Sequence, residues 1–164
     1  MTPRASDDLK RYIKEHGITA EIVFPPHKTP TVPEAAAAVG CEPDQIVKSI
    51  LFLVDYEEPV GRRPVLVIAC GTARIDYKAL AAHLGVGRKK VRLAPADVVL
   101  ETLGYPAGGV PPFGHATPVP ILMDQAVTRR EIVYGGGGDD RSLVRMTVAE
   151  LRRVTGAEIV SVCE

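Results

Sequence analysis

No run of apolar residues in this chain approaches the roughly 20 needed to cross a bilayer. The opening stretch, MTPRASDDLKRYIKEHG, lacks the apolar core of a secretory signal. Cysteine is scarce: Cys41, Cys70 and Cys163 are odd in number, scattered and without a CxxC spacing. Neither a disulfide framework nor a structural zinc site is therefore expected, and a reducing cytoplasm is the expected location. Net charge is lacking too, since 20 Lys and Arg balance 20 Asp and Glu. That leaves no global basic field for nucleic acid, so any RNA contact must come from a local patch, and neither DNA nor a membrane is expected as a partner. His16, His27, His83 and His115 show no HxxxH spacing, so no metal site is expected. The phosphate-cradling patterns GxGxxG and GxxxxGK[ST] are missing, as is the GxSxG elbow of a serine hydrolase. No cofactor is expected.

What is present is an ordinary globular composition, 46% apolar and 24% charged over 164 residues. One domain, residues 1–164, is expected, large enough to bury roughly two-thirds of its unfolded surface. Ser6 is placed to cap a helix running to about His16, with Leu9, Tyr12 and Ile13 on one face and Gly17 at its end. Alternation of Ile18, Ala20, Ile22 and Phe24 predicts a strand. TVPEAAAAVG opens with Thr31 and Glu34 at capping-box spacing and predicts a short helix. From Ile46 to Val54 nearly every residue is apolar, as in a strand covered on both faces. VLVIAC is a second such strand, preceded by the polar turn YEEPVGRRP. Asp76 caps a helix ending at Gly85, KKVRLA is a short strand, and Pro95 starts a helix to about Leu103. VPILMD, EIVYGG and SLVRMT read as strands, Thr147 and Glu150 cap another helix, and AEIVSVC closes the chain. About seven strands and four or five helices, intermixed without strict alternation, predict an α+β fold: a mixed, partly closed barrel-like sheet with helices around it.

Three features could carry chemistry. Lys48 interrupts an apolar run, and such a lysine either snorkels its tip to solvent or serves a site. GYPAGGVPPFGH, Gly104 to His115, is a long apolar loop stiffened by proline. Its glycines let backbone N–H groups approach a ligand, and such donors can stabilise a developing oxyanion by about 3–4 kcal/mol each; a rigid connection is the alternative. GGGGDDR, Gly135 to Arg141, is glycine-rich but flanked by strands, so a hairpin is expected, with Asp139 and Asp140 as turn residues rather than a catalytic pair.

TVPEAAAAVG, QIVKSILF, RIDYKALAAHLG, TLGYPAGGVPPFGH, VPILMD and GGGGDDRSLVRMTVAEL, in this order and spacing, resemble the YbaK/ProX family of aminoacyl-tRNA deacylases. That family includes the editing domain inserted in bacterial prolyl-tRNA synthetases. The resemblance covers about residues 29–162. It implies a mixed barrel-like fold, no metal, and a trans-editing hydrolase that removes a small amino acid from mischarged tRNA. Lys48 matches the family's functional lysine, and the loop Gly108–Pro112 matches the one that holds the aminoacyl carbonyl and terminal adenosine. The family's Gly-to-Pro spacing fits Gly108–Pro112 and, one residue shorter, Gly108–Pro111, and the family's TGY block reads TLGY at Thr102 to Tyr105. The expected catalytic residues are Lys48, Gly108 and Gly109. Val110, Pro111, Pro112, Phe113, Gly114, His115, Thr31 and Asp140 are expected to line the substrate site.

An aminoacyl ester is already labile, so orienting it, polarising its carbonyl and admitting a water can suffice. A local basic set, Arg74, Lys78, Arg88, Lys89, Lys90 and Arg92, is expected to meet the acceptor end of the tRNA, with a solvated surface as the alternative. An aminoacyl-tRNA synthetase is a further expected partner. Two other classes stay open on residues alone: a non-catalytic tRNA- or synthetase-binding module, and a small-molecule hydrolase or nucleotide-binding domain using GGGGDD.

Overall fold

The computed structural model describes residues 2–164. Its helices are α1 (Ser6–Glu15), α2 (Val32–Val39), α3 (Tyr77–Leu84), α4 (Ala96–Leu103) and α5 (Val148–Thr155). Its strands are β1 (Ala20–Val23), β2 (Val47–Asp55), β3 (Arg62–Cys70), β4 (Val91–Leu93), β5 (Ile121–Asp124), β6 (Ile132–Gly136), β7 (Leu143–Thr147) and β8 (Glu158–Val160). The α+β expectation holds. Among the described residues no helix is long and apolar enough to cross a membrane.

Three expected caps form. The Thr31, Asp76 and Thr147 side chains accept from the Glu34, Ala79 and Glu150 amides at 3.3, 3.1 and 3.0 Å, which satisfies donors that a helix start leaves free. Ser6 is not a cap. It is already helical, and the preceding Ala5 amide donates to the Asp8 carboxylate at 2.9 Å. Phe24 is a second correction: alternation placed it in the strand, but β1 ends at Val23 and Phe24 is 63% exposed. Pairing with β2 also starts β3 at Arg62, inside the expected turn.

The strands make two sheets. One has five strands in the order β4-β2-β3-β5-β8, with β3, β5 and β8 parallel and the rest antiparallel. The other is antiparallel, in the order β1-β7-β6. They meet at a parallel bridge between Ile46 and Tyr134 and do not close into a barrel. β2 is buried on both faces, as its apolar run predicts: Val47, Leu51 and Leu53 join the main core, and Phe52 and Val54 join a second core with Leu80 of α3.

β4 pairs only with Phe52 to Val54. The Ala94 amide adds one more bond, to Leu51 O at 3.0 Å. Pro95 is the N-cap of α4, and the chain leaves the sheet there. The Val47–Ile50 stretch of β2 is thus left without a strand neighbour on that side, and β6 and the Gly104–His115 loop approach there instead.

Candidate active site

A cavity of about 250 Å³ opens against this uncovered stretch. Its walls come from four places: Thr29 to Val32 before and at the start of α2; Ile46 to Ser49 of β2; Ala107, Gly108 and Val110 of the loop; and Gly136 and Leu143 of the β6–β7 hairpin. Lys48, Gly108, Val110 and Thr31, far apart in sequence, therefore share one space.

Lys48 is half-buried, and its ammonium donates to the Ala73 carbonyl. It is held rather than free to snorkel, and two of its three N–H bonds are left for another acceptor. The Gly108 amide donates to none of the described residues, and a Cβ placed on Gly108 would meet open space. Gly108 thus has an unpaired amide and is one of the residues that line the cavity. The Gly109 amide is paired: its N–H is bonded to Pro106 O at 2.8 Å, and its carbonyl accepts from the Gly138 amide at 2.9 Å. The expectation that Gly109 supplies an oxyanion donor gives way to a turn closed on itself.

The glycines of the two rich segments serve each other. A Cβ on Gly109 would lie 2.5 Å from Asp139 Cα, and one on Gly136 would lie 2.2 Å from the Val110 carbonyl oxygen. The loop and the β6–β7 turn are in backbone-to-backbone contact that no side chain could enter. The GGGGDD turn is thus a packing surface for the loop and makes no phosphate cradle.

The rest of the loop faces inward. Pro111, Pro112, Phe113 and Gly114 are buried and do not line the cavity. Phe113 stacks at a tilt on Tyr12, with ring centroids 6.1 Å apart. His115 Nε2 donates to Pro111 O at 2.7 Å and ties the loop across its own bend. Burial holds its pKa below the ordinary histidine value, against the opposing pull of the Pro111 bond. These five residues brace the loop; they are not placed to touch a molecule in the cavity.

The N-terminal arm braces it from outside. Arg4 N donates to Gly104 O at 2.8 Å, and its guanidinium donates to Gly114 O at 3.3 Å. The Ser6 amide donates to Asp139 at 3.1 Å. Asp139 also accepts from the Arg141 amide and the Ser142 hydroxyl. Burial alone would raise its carboxyl, but these bonds together hold it below the usual range. It is a turn residue, as expected. Asp140, expected at the substrate site, lies outside the cavity lining and pairs with Lys28 at 3.0 Å on the surface.

The basic set is spread out. Arg74 precedes α3 and pairs with Glu164 at 3.5 Å. Arg88 stacks over Tyr77 at 4.4 Å. Lys78, Lys89, Lys90 and Arg92 are exposed. Val91 pairs with Val54, six residues along β2 from Lys48, which puts Val91 about 20 Å from Lys48 at strand spacing. His27 is exposed in a loop. Among the described residues, no three His, Cys, Asp or Glu side chains converge as metal ligands would.

Sequence reasoning missed Ala73, Thr29, Ser49 and Gly136. Ala73 acts through its carbonyl, and Gly136 through the side chain it lacks. The Ser49 hydroxyl is buried without a hydrogen-bond partner in the cavity wall; its sole signal is a polar residue after Lys48 in an apolar strand.

The fold is thus a small mixed α+β domain in which one lysine and one glycine with an unpaired amide line a small cavity. The model of the aminoacyl-tRNA editing domain matches residues 27–154, and the chain belongs to that family. It is an aminoacyl-tRNA deacylase, with aminoacyl-tRNA as its substrate. It is 30% identical over 135 residues to YwhH of Bacillus subtilis (strain 168), covering 82% of this chain and 81% of that one. It is 32% identical over 110 residues to the proline–tRNA ligase of Limosilactobacillus fermentum, covering 67% of this chain but 19% of the ligase. Among solved structures, it superposes on a candidate trans-editing enzyme for prolyl tRNA synthetase with a TM-score of 0.87 and 33% identity, covering 100% of this chain and 99% of that one.

Proposed function

We propose that the chain clears mischarged tRNA in trans, hydrolysing the ester of a small amino acid at the 3′ acceptor end, with tRNA charged by prolyl-tRNA synthetase as the pool it inspects. The observation that carries this reading is the shared cavity, in which the Lys48 ammonium and the free Gly108 amide sit around about 250 Å³ of mostly apolar space. Lys48, anchored on Ala73 O, directs its remaining N–H bonds at the terminal ribose or phosphate. The Gly108 amide polarises the ester carbonyl and takes up charge as water adds, with no change in its own position.

Val32, Ala35, Ile46, Val110 and Leu143 set the size limit. A tight apolar wall excludes a longer side chain more readily than it tells apart two that differ by one methylene, worth about 1–3 kcal/mol. Association with the synthetase and residence in the cytoplasm follow from this substrate. The test is single-turnover deacylation across a panel of correctly and incorrectly charged tRNAs. Rapid ester loss restricted to small mischarged residues is expected. Stoichiometric binding of tRNA without multiple deacylations would instead indicate a binding module.

A further inference from the structure

A groove of about 590 Å³ runs away from the cavity between α1 and β1, floored by Ile13 and Ile22. Residues 16–19 join the two elements, so they run antiparallel, and the Asp7 end of the helix meets the Phe24 end of the strand. Both walls connect that end to the active site. Val23 pairs with Leu143, a cavity wall. Ser6 bonds Asp139, and the adjoining Gly138 bonds Gly109, next to Gly108.

Two features of the groove bear on what it could hold. Phe24 is 63% exposed. Lys10 and Lys14, one turn apart in α1, lie along the groove and have no ion-pair partner among the described residues. Like charges at this spacing repel, and of the two only Lys14 lies in the last turn, where the helix dipole favours a cation. Arg11 adds a third cation, paired at 3.5 Å with Asp8, while Asp7 and Glu21 are the acidic members of the lining.

We propose, building on the tRNA-editing reading above, that this groove holds the single-stranded 3′ end of the RNA just before its esterified ribose. A base stacks on Phe24 at the cavity side, and successive phosphates lie on Lys10 and Lys14. Cations tracking a backbone beside an aromatic platform are what single-strand sites combine, and the stacking tolerates any base. Asp7 and Glu21 accept from exocyclic amino groups, as carboxylates do from cytosine. The strand thus leaves the cavity toward α1, away from the Arg88–Arg92 run.

Affinity for a short single-stranded oligoribonucleotide and for uncharged tRNA, measured on the full chain over a salt series, tests this. Phe24→Ala is expected to weaken binding about tenfold, Phe24→Trp to retain it, and Phe24→Leu to behave like Phe24→Ala, because leucine keeps the apolar contact but loses the stack. Lys10→Glu with Lys14→Glu is expected to weaken binding and flatten the salt dependence by about 1.4 in log–log slope for two lost phosphate contacts. Phe24→Leu binding RNA like wild type would show that no base stacks there and overturn the proposal. So would a loss of affinity confined to Lys89→Glu with Lys90→Glu. Thermal melts confirm that each variant is folded, which the exposure of all these side chains favours. Wild-type protein that deacylates charged tRNA while the groove variants bind normally sinks only the groove. Wild-type protein that deacylates none of the panel sinks the tRNA-editing reading.

Discussion

Lys48 is the residue on which the chemistry most depends. Lys48→Ala is expected to slow single-turnover deacylation of the preferred charged tRNA by about 100-fold or more, the usual loss for one preorganised donor. The melting temperature should stay near wild type, because a half-buried lysine leaves little cavity. Lys48→Arg should recover the rate only partly, since a planar fork cannot keep both the Ala73 bond and a compact contact with substrate. Near-wild-type turnover by Lys48→Ala would move the catalytic assignment wholly onto the Gly108 amide. His115 gives a second prediction, for stability. Burial lowers its folded pKa below the unfolded value of about 6.5. Its neutral form therefore contributes fully above that pH, and the contribution is lost as pH falls through the folded pKa. Denaturant melts from pH 8 to pH 5 should show wild type losing more stability than His115→Asn; equal losses would clear His115 of this role. Lys48 was legible in sequence because a charge in an apolar strand stands out. Ala73, which holds it, was not, because a carbonyl belongs to every residue and only the fold decides where it points.

Elements were legible where a side chain ends them. Thr31, Asp76 and Thr147 mark helix starts because their oxygens sit three residues before amides that lack partners, and the burial of β2 on both faces follows from its unbroken apolar run. Ser6 and Phe24 misled for physical reasons: Asp8 satisfied the helix start in place of Ser6, and β1 stopped one residue before Phe24 could turn inward. The glycine-rich segments were legible as special but not as partners, because contact between two backbones leaves no complementary pattern of side chains. Their interlock predicts that Gly136→Ala, which drives a methyl onto the Val110 carbonyl, lowers stability by about 2 kcal/mol. Gly109→Ala should do the same against Asp139, so its loss of activity would accompany a lower melting temperature rather than report on chemistry alone. Melts near wild type for both would show that the loop can move away from the turn at little cost. Removing the Arg4 guanidinium, which bonds Gly114 O, should quicken proteolytic cutting of the Gly104–His115 loop before global unfolding; unchanged cutting would mean that the loop is held without it.

At the scale of the whole molecule, the fold class and the order of elements followed from periodicity and caps, whereas the division into two sheets did not, because it depends on which strand edges meet. The same holds for the site: Lys48, Thr31 and Gly108 share a cavity through pairings between distant segments. Deacylation is expected to persist after exhaustive chelation, since no ligand cluster forms among the described residues. Activity lost to chelator and restored by zinc would show a metal site assembled some other way.

Pro95 gives the architecture its last consequence. The ladder between β2 and β4 makes its last bond at Ala94, because the chain leaves the sheet at Pro95 to start α4, and β2 lies open from there toward Lys48. Had β4 run on in place of the helix, the main chain of β2 would have been covered along its length and the cavity beside Lys48 would have been closed. Access to this enzyme's interior is thus decided by where one helix begins, at an exposed residue outside the cavity lining, and a shift of that start by a residue or two would change reachability rather than the chemistry itself.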